Sequence, residues 1–464
     1  MNISLALRRL ATRGTDLDAH DFRRILTITG PAMLELVLSQ LFGMVDTIML
    51  GRSRVSTVGI ASVGLTHNPI NLLLGIMSAF NVGTTAAIAW AIGRRDRAEA
   101  RALARTAMGL NLLLGAVATL LGYLPAPVIL RFMGAQADTY GYALAYLRIV
   151  SLGFLPSALN MGVTGCLRAA GLTRLPMVYN LAANLLNVVG NWALIFGHLG
   201  FAPMDVTGAA ISTTFSRVVG ALAALVALYG MESPVRLRLR QGVALRLRDM
   251  KRILSVGLTT AAEQALMQVG FMFFARTVSA LGTVVFAAHQ VCLNINGLSW
   301  VPAQAFGVAS TTLVGQHMGA GEPGKARHCA RVILRGALTS SLLVGCVFLL
   351  WSQSFVRLYD TNADVVRAGA SALRIMALGM AGIGTQMAVA AALRGAGDAR
   401  FPLLASCAGI WVFRVALAPV FVHTLGWGLN GAWLCIVLDQ SLRALVVYAR
   451  FRHGGWMRRA APPS

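Results

Sequence analysis

A chain of 464 residues that is 56% hydrophobic and 12% charged, with a mean hydropathy of +0.67, lies outside the range of soluble globular proteins; it is expected to be a polytopic membrane protein. Its formal net charge of +23 invites a nucleic-acid partner, but the basic residues gather in short connectors between apolar stretches, as cytoplasmic loops do, so no nucleic acid is expected. The 6 cysteines (Cys166, Cys292, Cys329, Cys346, Cys407, Cys435) fall in apolar stretches or inner connectors without metal-type spacing, which argues against a disulfide framework or a metal site built on them.

In chain order, residues 1–24 form a polar cytoplasmic segment, and the long apolar run behind it marks a retained first helix in place of a cleavable signal peptide. Stretches of about 20 apolar residues, enough to cross roughly 30 Å of hydrocarbon as a helix, then recur to the end of the chain. The expected spans of the first lobe (25–230) are 25–50, 57–91, 103–124, 140–164, 175–197 and 207–230. A basic cytoplasmic linker, 231–252, follows. The second lobe (253–450) holds 253–277, 283–316, 332–353, 367–392, 402–423 and 430–450, and a cytoplasmic tail covers 451–464.

Charge sets the orientation. With the N-terminus inside, the inner segments hold Arg8, Arg9, Arg13, Arg23 and Arg24, then Arg94, Arg95, Arg97, Arg101 and Arg105, and Arg168 and Arg174. They continue with Arg236, Arg238, Arg240, Arg246, Arg248, Lys251 and Arg252, Lys325, Arg327, Arg331 and Arg335, Arg394 and Arg400, and Arg450, Arg452, Arg458 and Arg459. Outside lie only Arg52, Arg54, Arg131, Arg357 and Arg367, so both termini are expected in the cytoplasm of a bacterial inner membrane.

The chain repeats itself at an offset of 226 residues. "FNVGTTAAIAWAIGRRDRAEARALAR" (80–105) lies on "FGVASTTLVGQHMGAGEPGKARHCAR" (306–331), "LRIVSLG" (147–153) on "LRIMALG" (373–379), and "LRAAGLTRLP" (167–176) on "LRGAGDARFP" (393–402). Each half has an even number of spans, so both enter the membrane in one orientation, the parallel-repeat arrangement of transporters whose substrate site lies between two bundles.

Ionisable groups inside spans are costly and face a cavity or a partner. Asp46 stands in the first span, and Glu35 and Ser39 share its face. Span five carries Asn180, Asn184, Asn187 and Asn191 on one stripe, which either bonds neighbouring helices or shares a polar chamber with Asp46. In the second half an offset of 228 lays Glu263 on Glu35 and Gln268 on Gln40. Arg414, mid-span, is expected to pair with Glu263, while Asp439 and Arg443, at i and i+4, form a structural pair of their own. Arg148 and Arg374 are repeat-related and suggest architecture; His67 and His289 are expected to be packing residues.

The repeat, the "VDTIMLG" segment (45–51), "EQALMQVGFMFFARTVSALGTVVFAAHQV" (263–291) and "LRAAGLTRLP" with its echo together resemble the multidrug and toxic compound extrusion (MATE) family over nearly the whole chain. The resemblance implies an all-α fold of twelve transmembrane helices in two pseudo-symmetric six-helix bundles around a V-shaped cavity. It also implies export of organic, often cationic, compounds driven by inward flow of H⁺ or Na⁺. Asp46 matches the family's first-helix aspartate and is the expected coupling residue. One branch of the family adds a fifth-helix N-x-x-x-D pair, where this chain has Asn187 and Asn191. Another branch binds sodium through a seventh-helix glutamate and a tenth-helix aspartate; Glu263 is displaced from the first by about a turn, and span ten offers Gln386 in place of the second. Proton coupling through Asp46 is therefore expected, with Na⁺ at Asp46 as the alternative, no other cofactor, and a monomer in contact with small-molecule substrates and the bilayer.

A lipid-linked oligosaccharide flippase of the same superfamily is the competing function; it calls for a cationic cavity, whereas Glu35, Asp46 and Glu263 stand here against Arg414. The spans contain no H-E-x-x-H or G-x-S-x-G, so an enzyme is not expected, and without a Walker A sequence neither is ATP drive.

Overall fold

A computed structural model describes residues 19–458 apart from 54, 55, 134, 238–241, 243, 360 and 361. Of the basic residues used for orientation, Arg8, Arg9, Arg13, Arg54, Arg238, Arg240 and Arg459 lie outside the described residues. Among the described residues every regular element is a helix. In the first half α1 (Ala19–Gly51), α2 (Ser56–Gly93), α3 (Arg97–Tyr123), a short α4 (Ala126–Phe132), α5 (Ala137–Leu152), α6 (Phe154–Ala169), α7 (Arg174–Phe196) and α8 (Asp205–Gly230) follow one another. The second half has α9 (Leu247–Ser279), α10 (Thr283–Gly319), α11 (Pro323–Arg357), α12 (Ala363–Gly395), α13 (Arg400–Gly409) and α14 (Gly428–His453); between the last two the helix continues in π-helical turns at Ile410–Leu417 and Val420–Thr424.

Each expected span is covered by helix. Among the described residues, 8 helices are long and apolar enough to cross a membrane, and α5 with α6, bent by 42°, makes one more span, so the chain is a multi-pass membrane protein. The helices α7, α9 and α10 fall short of that apolarity because they carry the asparagine stripe, Glu263 and its neighbouring glutamines, and a run of His289, Gln290, Asn294 and Asn296.

The repeat is visible in the helix boundaries. At the sequence offset of 226, the last residues of α2 and α6 map onto those of α10 and α12, and the first residues of α3, α5 and α7 onto those of α11, α12 and α13. The same local signals recur: Gly171 and Gly397, at φ 80° and 83°, turn the chain in the left-handed region a glycine tolerates, and Pro176 and Pro402 open the next helix. Asp96 caps α3 by accepting a 2.8 Å bond from the Glu99 amide, and Asn362 caps α12 by accepting one from the Asp364 amide at 2.9 Å. Symmetry fails where the first repeat breaks at Gly153 and the second runs through Gly379 unbroken, and where α13 goes over into π-helix while α7 stays regular.

Two compact units result, Leu34–Gly257 and Leu258–Ser464 with Met1–Met33. This differs from a first lobe beginning at 25: the start of α1 buries Ile25, Ile28 and Ala32, and Arg24 donates a 2.5 Å bond to Gln316 Oε1 of α10. Apolar side chains three and four residues apart on one face thus belong with the second unit at the opening turns, which the continuous apolar run could not reveal. In the first unit the core gathers Ile88, Leu103, Leu167 and Leu228, and the basic linker joins it by burying Val235 and Leu237. The second unit centres on Phe274, Met376, Met380 and Trp433.

Within the first unit α2 passes very close to the start of α9. A Cβ on Gly83 would collide with the Ile253 carbonyl oxygen and lie 2.7 Å from the Gly257 nitrogen. Backbone cannot yield as a flexible side chain does, so Gly83→Ala is expected to cost about 1–3 kcal/mol. Thermal unfolding in detergent checks this: Gly83→Ala should lower the midpoint, whereas Gly75→Ala, whose Cβ meets nothing within 4 Å, should not.

Candidate functional site

The polar residues of α1 and α7 meet as rungs of a ladder. Asn180 Nδ2 donates to Glu35 Oε1 at 2.7 Å, Asn184 Nδ2 to Ser39 Oγ at 3.3 Å, and Asn191 Nδ2 to Asp46 Oδ1 at 2.8 Å. All three pairs are separated by 145 residues, so the two helices run parallel and in register, each advancing eleven residues, about 16 Å, from first rung to last. The spacing 0, 4, 11 occurs in both helices, a signal legible in the sequence that the stripe of α7 by itself does not show.

The rung at Glu35 is a structural clamp. Glu35, buried, also accepts a 2.9 Å bond from Arg168 Nη2 of α6, and Asn180 Oδ1 accepts from Asn160 Nδ2 at 3.1 Å. The repeat reproduces it: Glu263 accepts from Arg394 Nη2 at 2.7 Å and from Ser406 Oγ at 2.6 Å. Arg168 and Asn180 map onto Arg394 and Ser406 at the sequence offset of 226. The sequence marks both arginines as inner-loop charges; the aligned "LRAAG" and "LRGAG" were the available sign of their common role.

The expected Glu263 to Arg414 pair is therefore corrected. Glu263 is satisfied by the end of α12, and Arg414 Nε instead donates to Asp439 Oδ2 of α14 at 2.6 Å. Depth decides: Arg394 is in the last turn of its helix, whereas Arg414 lies fourteen residues, about 21 Å, beyond the start of α13. The pair between Asp439 and Arg443 forms as expected, through bonds of 2.5 and 2.7 Å, with Arg414 as a third member. Gln268 is exposed and Gln386 is buried in α12; neither joins Glu263 or Arg414. His67 is exposed, while His289 is packed among Phe274, Phe286 and Trp433. Arg148 lies over the Tyr123 ring and Arg374 bonds to Ser352 Oγ, so both serve contacts within their own bundle.

Asp46 differs from every other acid of the spans. Glu35, Glu263 and Asp439 each have an arginine at 2.9 Å or less, but half-buried Asp46 has no ion pair among the described residues. It is held by carboxamides. Beside Asn191 stands buried Asn187, whose two amide ends are nearly isosteric. In one orientation its nitrogen lies 3.3 Å from Ser212 Oγ and 3.4 Å from Thr213 Oγ1 of α8, with its oxygen towards Asp46. In the other the nitrogen donates to Asp46 Oδ1 at 3.1 Å and Oδ2 at 2.9 Å, and the oxygen accepts from the Thr213 amide at 3.2 Å. The first suits a protonated carboxyl group and the second a carboxylate.

Known proteins share this arrangement of helices. The family model described as MatE matches residues 31–193 and 260–420. The chain is similar to the probable multidrug resistance protein NorM of Thermotoga maritima, 31% identical with 94% of each chain covered, and to the multidrug resistance protein PmpM of Pseudomonas aeruginosa, 29% identical with 94% of each covered. It superposes with a TM-score of 0.86 on an outward-facing multidrug resistance MATE family transporter of the MOP superfamily, 26% identical, covering 93% of this chain and 95% of that one. With the repeated six-span pattern, the first-helix aspartate and both halves of the family model in place, the chain belongs to the MatE family of multidrug and toxic compound extrusion transporters.

Proposed function

We propose that this protein exports organic, often cationic, compounds across the bacterial inner membrane in exchange for protons, with Asp46 as the coupling residue and both termini in the cytoplasm. The observation that carries the reading is the contrast among acids: three of the four in the spans are neutralised by arginine, and Asp46 has no such partner among the described residues. A carboxylate already paired with a guanidinium gains little from a proton. An unpaired one at depth loses its charge by taking one, and with the charge goes the cost of holding it there.

Asn187 gives the proton a structural consequence. With Asp46 charged, Asn187 and Asn191 both donate to it; with Asp46 protonated, its hydroxyl donates to the Asn187 oxygen, and the freed amino group turns to Ser212 and Thr213. One proton thereby changes the bonding between α1, α7 and α8 within the first unit. Export of multidrug type is supported by the relatives named NorM and PmpM. Glu263 is held by Arg394 and Ser406, which supports the first unit over the second as the place of coupling.

The test is uptake of ethidium by proteoliposomes under an imposed pH gradient or an imposed Na⁺ gradient of equal size. Uptake is expected with the pH gradient alone. Asn187→Leu, which keeps the branched heavy-atom skeleton but removes both amide orientations, is expected to slow it at least about tenfold through the loss of a hydrogen bond to a charged group. Uptake driven by sodium alone would overturn proton coupling.

A further inference from the structure

The second unit holds a buried charge imbalance for which the coupling role of Asp46 has no use. Glu263 is paired with Arg394. One helical turn along α9, Met267 Sδ accepts from Arg443 Nη1 at 3.9 Å; Arg443 grips both oxygens of Asp439 through Nε and Nη2, and Arg414 Nε adds a third bond to that carboxylate. Two carboxylates thus face three guanidinium groups, leaving one positive charge in excess. Asp398 pairs with Arg450.

The excess falls on Arg414. Its Nε is committed to Asp439, and its guanidinium carbon lies 4.9 Å from the ring centre of Phe271 and 5.8 Å from that of Phe274. Neither terminal Nη group has a hydrogen-bond partner among the described residues, and neither is among their sealed, partnerless nitrogens, which include both ring nitrogens of His289. The ring contacts and the Asp439 bond hold the buried guanidinium, 5% exposed, while its two terminal nitrogens keep their donors uncommitted among the described residues. Arg414 also stands in the π-helical turn Ile410–Leu417, a conformation frequent at functional positions. The repeat shows what has been exchanged. The offset of 228 that carries Glu35 onto Glu263 carries Asp46 onto Phe274, so an acid held by amides in one repeat becomes a ring beneath an arginine in the other.

We infer that Arg414 anchors an anion site in the second unit, whose ligand is a singly charged aromatic carboxylate. The two Nη donors match the two oxygens of a carboxylate, one unit of charge restores neutrality, and half-buried Phe271 stands beside the guanidinium with apolar surface. The site is distinct from the proton-coupling site and lies wholly within the second unit.

Binding of radiolabelled benzoate to the full-length protein in detergent, followed by scintillation proximity, tests this without any gradient, so its result is independent of the coupling ion. Saturable binding of about one benzoate per chain is expected, since one guanidinium fork accepts one carboxylate, and neutral benzamide should not displace it. Arg414→Gln should weaken binding about ten- to a hundredfold while leaving Asp439 paired with Arg443 and the protein folded, and Asp46→Asn should bind as the wild type does. Phe271→Ala keeps the charge but loses the stack, and should weaken binding as well. Absence of saturable binding, displacement by benzamide, or equal affinity in Arg414→Gln would overturn the assignment; should Arg414→Gln fail to fold, equal affinity in Phe271→Ala does the same.

Discussion

Asp46→Asn is expected to bring pH-driven ethidium uptake down to the level of protein-free liposomes while leaving the protein folded. The change is nearly isosteric, and the new amide keeps polar atoms opposite Asn191 and Asn187, so the ladder between α1 and α7 persists. What is lost is the only group in that ladder able to carry a proton without first breaking an ion pair. Exchange of labelled ethidium for unlabelled at equal concentrations, with no gradient, separates coupling from binding: it should continue in Asp46→Asn, because it needs no proton. Uptake that persists under the pH gradient in Asp46→Asn would remove the acid from the coupling step. The matching change at Glu35 should behave differently, with lower stability and retained coupling, since Glu35 serves Arg168 and Asn180 as a clamp.

Asp439→Asn is expected to have the largest effect on stability. Asp439 is fully buried and accepts bonds from two buried guanidinium groups, so its neutralisation leaves Arg414 and Arg443 without a carboxylate. Removing one member of a buried ionic cluster costs about 3–5 kcal/mol, most of it the penalty of the charges left behind. The yield of monodisperse protein and the thermal midpoint in detergent should both fall sharply. The double variant Asp439→Asn/Arg414→Gln should recover part of the loss, because one orphaned charge leaves with its partner. A double variant no better than Asp439→Asn alone would show that the cost comes from packing; Gly409, whose Cβ would collide with Asp439 Oδ1, marks how closely the helices approach there.

Some of the site was present in the pattern of residues. Glu35, Ser39 and Asp46 share a face, the asparagines of α7 form a stripe, and the repeat sets Glu263 opposite Glu35; all rest on periodicity, which a helix imposes on neighbours in sequence. The in-register rungs were encoded as a common spacing, although no local signal says that these two helices touch. Arg168 and Arg394 illustrate the limit. Their position at helix ends that the positive-inside rule would assign to the cytoplasm is accounted for by that rule alone, and nothing in it distinguishes a loop charge from one that turns inward to clamp a glutamate.

The sequence by itself determined the membrane-spanning helices, the two-fold repeat and the presence of an acid at depth in the first helix. Each of these follows from the thickness of hydrocarbon, the period of a helix and the cost of charge in lipid, which act on short stretches of chain. Only the tertiary structure decided that the opening turns of α1 join the second unit, that Asp46 meets amides while Glu35 meets an arginine, and that Arg414 chooses Asp439 over Glu263. Those choices depend on the depth and rotation of helices against one another, and a buried charge takes whichever partner packing brings within hydrogen-bond reach.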